Sequence, residues 1–219
     1  MSWRFSHADA KRFYDRLGRL QDTQGWYEDR AVAAMCEAGR FETAHRVGEF
    51  GCGTGRIAAE ILRGPLPDDA HFHAFDVSET MVALTAERLA DWPHRALAVR
   101  TGGAPELPVV DAAFDRLIAT YVLDLLSEGD IAAFVAGARR ALEPGGLLCI
   151  VSLTCPDRGA ARAIALLWKQ LQGWFPKAVG GCRPISVAAA LGPAEWDIRF
   201  RQLVVQALVP SEVVVAARR

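Results

Sequence analysis

The sequence has no apolar run near the roughly 18 residues that a membrane-crossing helix needs, and its opening residues, M-S-W-R-F-S-H, carry no apolar leader core. A cytoplasmic protein is the expectation. The five cysteines (Cys36, Cys52, Cys149, Cys155, Cys182) are odd in number and scattered, with no C-x-x-C pair. That argues against a disulfide framework and against a zinc site, so no metal is expected. Neither sign of charge dominates, the formal net charge being −1, and nothing points to a general nucleic-acid binder. Repeats, low-complexity stretches and interdomain linkers are missing as well. What remains is 219 residues, 51% hydrophobic and 23% charged, enough for one α/β domain with a sizeable core and too few for two.

The most informative stretch is Val47 to Gly55, V-G-E-F-G-C-G-T-G. Arg46 to Phe50 reads as a short buried strand, and Arg56 to Arg63 has the apolar spacing of a helix. Gly51, Gly53 and Gly55 let the main chain turn sharply and approach a ligand with no Cβ in the way. Glu49, two residues earlier, sets a carboxylate at the lip of the strand. A dinucleotide fingerprint is spaced G-x-G-x-x-G and seats a pyrophosphate on the helix N-terminus. Here the spacing is G-x-G-x-G, and the upstream acid would repel a phosphate. Asp76 ends the next apolar stretch, 21 residues after Gly55, where a carboxylate accepts hydrogen bonds from both ribose hydroxyls. Adenosine with a positively charged tail suits this set better than NAD.

Around this bend the pattern predicts alternating helices and strands. Ser6 to Asp22 reads as a polar helix with Tyr14 beside its apolar edge, Gln24 to Asp29 as a turn with two aromatics, and Ala31 to Ala38 as a helix. Trp26 and Tyr27 either wall a substrate cavity or pack at the helix start. Ser78 caps a helix from Glu79 to Ala90. Ala96 to Arg100 and Phe114 to Thr120 are the third and fourth strands, Glu128 to Leu142 a helix, and Leu147 to Leu153 a fifth strand. Arg158 to Trp174 is helical, and Ile198 to Leu208 and Glu212 to Ala217 form a hairpin joined at Pro210. Ligands of open α/β sheets sit outside the carboxyl ends of the strands, which brings Thr120, Tyr121 and Asp124 to the site. Asp124 serves as general base or cation partner, or else braces the next turn. Arg183 is a candidate anchor for an acidic substrate, whereas Cys182 has no histidine after Tyr121 to activate it. His71 and His73 share a strand face without a third ligand and read as structural.

E-F-G-C-G-T-G, F-D-V-S-E-T-M (Phe75 to Met81), F-D-R-L-I-A-T-Y-V-L (Phe114 to Leu123) and L-E-P-G-G-L-L (Leu142 to Leu148) resemble the successive motifs of class I S-adenosylmethionine-dependent methyltransferases. The similarity is closest to the small-molecule group that includes the ubiquinone and menaquinone C-methyltransferases. It covers roughly Phe41 to Leu153. The resemblance implies an α/β, Rossmann-like seven-stranded sheet of order 3-2-1-4-5-7-6, the last strand antiparallel. Helices cover both faces, with an N-terminal helical lid (1–40), a cofactor-binding core (41–153) and a substrate-side segment (154–219). It implies S-adenosylmethionine as cofactor and S-adenosylhomocysteine as product.

By the same resemblance, Tyr14 closes over the cofactor and Glu49 meets its amino-acid end. Main chain from Gly51 through Cys52 and Gly53 to Gly55 holds the methionyl part, Asp76 the ribose, and Val77 and Met81 its surroundings. Gly103 and Ala104 border adenine, Gly103 standing where relatives carry an adenine-binding aspartate. Thr120 borders the sulfonium. The implied reaction is methyl transfer to a small, largely apolar acceptor. A protein or RNA methyltransferase is the alternative, against which stand the absence of an N-P-P-Y-like motif after the fourth strand and of a basic extension. A cofactor-binding scaffold without turnover is the third reading.

Overall fold

The computed structural model describes residues 12, 15–102, 107–156, 158–159, 162–167, 170 and 182–219. Seven strands form one sheet of order β3-β2-β1-β4-β5-β7-β6. They are β1 (Arg46–Phe50), β2 (His71–Asp76), β3 (Ala96–Arg100), β4 (Phe114–Thr120), β5 (Leu142–Leu153), β6 (Trp196–Gln206) and β7 (Val209–Arg218). β1 to β5 run parallel, and β7 lies antiparallel between β5 and β6. The helices are α1 (Gly25–Gly39), α2 (Arg56–Arg63), α3 (Glu79–Arg88), α4 (Glu128–Ala141) and the short α5 (Val187–Ala190). Among the described residues no helix is long and apolar enough to cross a membrane.

The central strands are buried on both faces, as parallel pairing with crossover helices requires, while the edge strands β3 and β6 are more exposed. Alternation along the strands sends Val47, Ala74 and Ile118 to one apolar layer with Met35 of α1 and Ile61 of α2. Phe50, Phe75, Leu117 and Ala119 go to the other layer, with Phe134 of α4 and Trp196. β4, buried at every position, is the central strand. Its Arg116 is not a stranded charge, because Nε donates to Gly39 O at 2.7 Å and Nη2 to Arg40 O at 3.2 Å. The guanidinium thus satisfies carbonyls that the C-terminus of α1 leaves open. Ser78 and Ser127 cap α3 and α4, accepting from Met81 N and Asp130 N.

Three local expectations are corrected. Gln24 to Asp29 is not a turn, since α1 begins at Gly25, and the preceding Gly18–Gln24 is a 3-10 helix. Gln206 secures that start from far along the chain, donating to Trp26 O at 2.6 Å and accepting from Arg30 N at 3.0 Å. β5 starts at Leu142 rather than Leu147, its Pro-Gly-Gly stretch absorbed by a register shift against Phe114 and Arg116. The last hairpin turns at Ala207 and Leu208, both at positive φ, and Pro210 pairs with Val205 inside the ladder. Of the helix expected over Arg158 to Trp174, residues 162–167 are helical, and Trp168 and Trp174 lie outside the described residues.

Candidate functional site

The glycine bend lies between β1 and α2, against the end of β2. Gly51 N and Cys52 N both donate to Phe75 O, at 2.8 and 3.0 Å. The three glycines have φ of 73°, 55° and 74°, in the left-handed region. A Cβ on Gly51 would lie 2.6 Å from Val122 Cγ2, so this position also needs glycine for space. Asp76 locks the bend: Oδ2 accepts from Gly53 N at 3.0 Å and Oδ1 from Ser78 N at 2.8 Å. Val77 main chain bonds to the same carboxylate, whose roughly four acceptor sites still leave one to spare. Burial raises the pKa of Asp76 despite these bonds.

Glu49 is the most exceptional group in the site. It is 1% exposed, and neither carboxylate oxygen has a hydrogen-bond partner. Burial, and then the charge of Asp76, push its pKa up to about 8. A buried carboxylate without a donor is costly, and a ligand that brings an ammonium group or hydroxyls relieves the cost. Because β1 pairs with β2 in register, Glu49 opposite Ala74 and Phe50 opposite Phe75, the two acids flank one bend.

The described part of the N-terminal segment is seated on this bend. Asp22 accepts from Thr54 Oγ1 at 2.5 Å and pairs with Arg88 at 2.5 Å. Burial works against the charge on Asp22, but Arg88 and Thr54 hold its pKa below the usual value. Ser78 donates its hydroxyl to Asp15, and Arg19 pairs with Glu87 at 2.6 Å. The Gln21 amide occupies the space next to Gly53. Tyr14, the expected lid residue, lies outside the described residues, as do Gly103 and Ala104. Between segment and bend is a cavity of about 40 Å³, lined in part by Gln21, Glu28, Gly51, Cys52, Thr54, Arg56, Thr120 and Tyr121. That volume has room for a water molecule or so and is smaller than a nucleoside, so a nucleoside needs the lining to open.

At the end of β4, Thr120 is 8% exposed, and Tyr121 follows with φ of 50°, a conformation that costs a non-glycine residue energy. Tyr121 is held there by its N–H on Val151 O at 2.8 Å and its hydroxyl against Ser211 Oγ at 2.9 Å. Tyr27 meets Tyr121 edge-on, with ring centroids 5.9 Å apart, and its hydroxyl bonds to Glu28. Neither Trp26, 60% exposed, nor Tyr27 is part of the cavity lining; Trp26 packs edge-on against Tyr27, which in turn meets Tyr121. Asp124 is fully buried. Its Oδ2 accepts from Leu153 N at 3.3 Å, Oδ1 has no partner, and burial raises its pKa to about 7. Arg183 packs against the same turn, donating N–H to Asp124 O at 3.1 Å and Nη2 to Leu126 O at 2.8 Å. Met81 is buried and Val77 half-buried where β2 passes into α3. His73 packs edge-on against Phe75 and Phe114.

Sequence reasoning missed Asp15, Gln21, Asp22, Glu28, Arg56 and Arg88. Acidic and basic residues on predicted helices look like solvated faces, and only the pairing of distant elements brings these to the bend. One signal was available: Arg56 directly follows the third glycine and so had to lie beside the bend.

A seven-stranded sheet of this order, with a carboxylate-flanked glycine bend at its switch point, defines the class I methyltransferase fold. Comparisons with known proteins agree. Residues 47–146 match the model of a methyltransferase domain. The chain is 36% identical over 160 residues to a malonyl-[acyl-carrier protein] O-methyltransferase of Xylella fastidiosa, covering 72% of this chain and 52% of that protein. It is 32% identical over 99 residues to a ubiquinone/menaquinone biosynthesis C-methyltransferase of Methylobacterium nodulans, covering 45% and 38%. The chain thus spans about half the length, or less, of the curated relatives it matches. The crystal structure of the N-methyltransferase NodS of Bradyrhizobium japonicum, in complex with S-adenosyl-L-homocysteine, superposes with a TM-score of 0.65 at 14% identity, covering 87% of each chain. The chain carries a class I S-adenosylmethionine-dependent methyltransferase domain.

Proposed function

We propose that the protein transfers the methyl group of S-adenosylmethionine to a small, largely apolar molecule by in-line displacement. The observation that carries this reading is the pair of acids on one glycine bend, buried Glu49 without a hydrogen-bond partner and part-buried Asp76 with acceptor capacity to spare. In the proposal Glu49 takes the ammonium end of the cofactor, and main chain from Gly51 to Gly55, Cys52 included, carries its methionyl part. Asp76 takes the ribose, and Val77 and Met81 border it. Tyr14, Gly103 and Ala104 remain proposed neighbours of the cofactor.

The bound cofactor supplies an electrophilic methyl carbon on a charged sulfur. The chain's own task is alignment, worth up to roughly 7–11 kcal/mol in favourable cases. The rings of Tyr27 and Tyr121 support an apolar acceptor, and Thr120 borders the transfer path. Asp124, with a pKa of about 7, is poised to take a proton where the acceptor must lose one. Arg183 serves as a brace for the turn that carries Asp124. The cytoplasm is the proposed compartment.

Transfer of label from methyl-labelled S-adenosylmethionine into a cell extract tests the reading. Label in organic-extractable small molecules is the expected result. Label confined to protein or RNA would favour a macromolecular acceptor, and binding without any transfer would mean a scaffold.

A further inference from the structure

Arg56 is the first residue of α2, directly after Gly55, and its side chain lines the cavity beside Gly51, Cys52 and Thr120. Its guanidinium reaches three carboxylates: Glu28 at 3.0 Å, Asp29 at 2.7 Å and Glu60 at 3.5 Å. Asp29 and Glu60 are 60% and 51% exposed at the side chain and so are solvated without it. Glu28 is the buried one, 8% exposed, and it lines the same cavity. A buried pair that loses one member leaves the other charge uncompensated, which is strongly unfavourable unless an equivalent group replaces it.

The bend therefore brings together a buried carboxylate with no hydrogen-bond partner, Glu49, and a cavity-lining guanidinium whose buried partner is contributed by another helix. Together these are the two halves of a receptor for a zwitterionic amino acid: an ammonium to satisfy Glu49 and a carboxylate to satisfy Arg56, whose planar fork suits carboxylates. We infer that Glu28 is a built-in stand-in for the carboxylate of the cofactor's amino-acid end. It holds Arg56 until that end binds and then gives it up, a like-for-like exchange at the guanidinium that leaves Glu28 its hydrogen bond to Tyr27. This inference rests on the cofactor reading above and adds to it an internal competitor.

A competitor makes an unusual prediction: removing it tightens binding. Titrations compare S-adenosylhomocysteine with 5′-methylthioadenosine, which shares the adenosyl part and lacks the amino-acid end. E28Q is expected to bind S-adenosylhomocysteine several-fold more tightly than the unaltered protein and methylthioadenosine equally well. R56Q, with R56K as a milder second variant, is expected to lose about tenfold or more for S-adenosylhomocysteine and nothing for methylthioadenosine. Weaker binding of S-adenosylhomocysteine by E28Q would make Glu28 a mere support for Arg56 and overturn the inference. So would equal losses for both ligands in the Arg56 variants. If the unaltered protein binds neither ligand, the cofactor reading itself falls; if it binds both and only the variants disagree, that reading stands and the exchange does not.

Discussion

Alanine in place of Asp76 is expected to weaken binding of S-adenosylmethionine and S-adenosylhomocysteine by at least about 1.5–3 kcal/mol, the usual worth of a hydrogen bond to a charged group, or roughly ten- to 150-fold. Two effects add. The ribose hydroxyls lose their acceptor, and the bend loses the brace that holds Gly53 N and Ser78 N at 3.0 and 2.8 Å. Gly53, at a φ of 55°, is then free to leave the conformation the ligand needs. Asp76→Asn separates the two effects, because the amide oxygen still accepts one main-chain bond while the charge is gone; its loss is expected to be the smaller. Isothermal titration reads both. An unchanged affinity in Asp76→Ala would mean that the ribose sits elsewhere.

The second large effect is on stability against pH. Glu49 has an ordinary pKa of 4.5 when unfolded and about 8 when folded, and Asp124 rises from 3.8 to about 7. For both, the folded protein holds a proton that the unfolded chain has already released. Their contribution to stability is therefore best below pH 4 and is withdrawn as pH rises, by about 1.4 kcal/mol per unit and per group, until the folded pKa is passed. The cofactor-free protein should melt at progressively lower temperature between pH 5 and pH 8. Glu49→Gln should flatten that slope and raise the melting temperature at pH 8, while weakening the cofactor's hold. Saturating S-adenosylhomocysteine should also reduce the slope, since its ammonium compensates Glu49. A melting temperature constant from pH 5 to 8, identical in Glu49→Gln, would show that Glu49 carries no such burden.

Much of the geometry of the candidate site was legible because its determinants are local. Three glycines within five residues, a carboxylate before them and Asp76 at the end of the next strand follow from backbone geometry and strand length. β1, α2, β3 and β4 were located to the residue for the same reason. What escaped depends on contacts across the chain. Gln206 fixes the first turn of α1 from about 180 residues away, so Gly25 and Trp26 looked like a turn. The hairpin at Ala207 and Leu208 lacks the glycine or asparagine that usually marks positive φ, and Pro210 was the more conspicuous local signal. Glu28 and Arg56 lie 28 residues apart on separate helices, and their pairing exists only once α1 packs beside the bend.

A crystal structure of the complex with S-adenosylhomocysteine tests the central claim most directly. The account predicts one molecule lying along Gly51 to Gly55, its ribose hydroxyls on the Asp76 carboxylate and its amino group on Glu49, each at about 3 Å or less. A ligand that leaves Glu49 without a partner, or that reaches Glu49 and Asp76 only as two separate molecules, would contradict it.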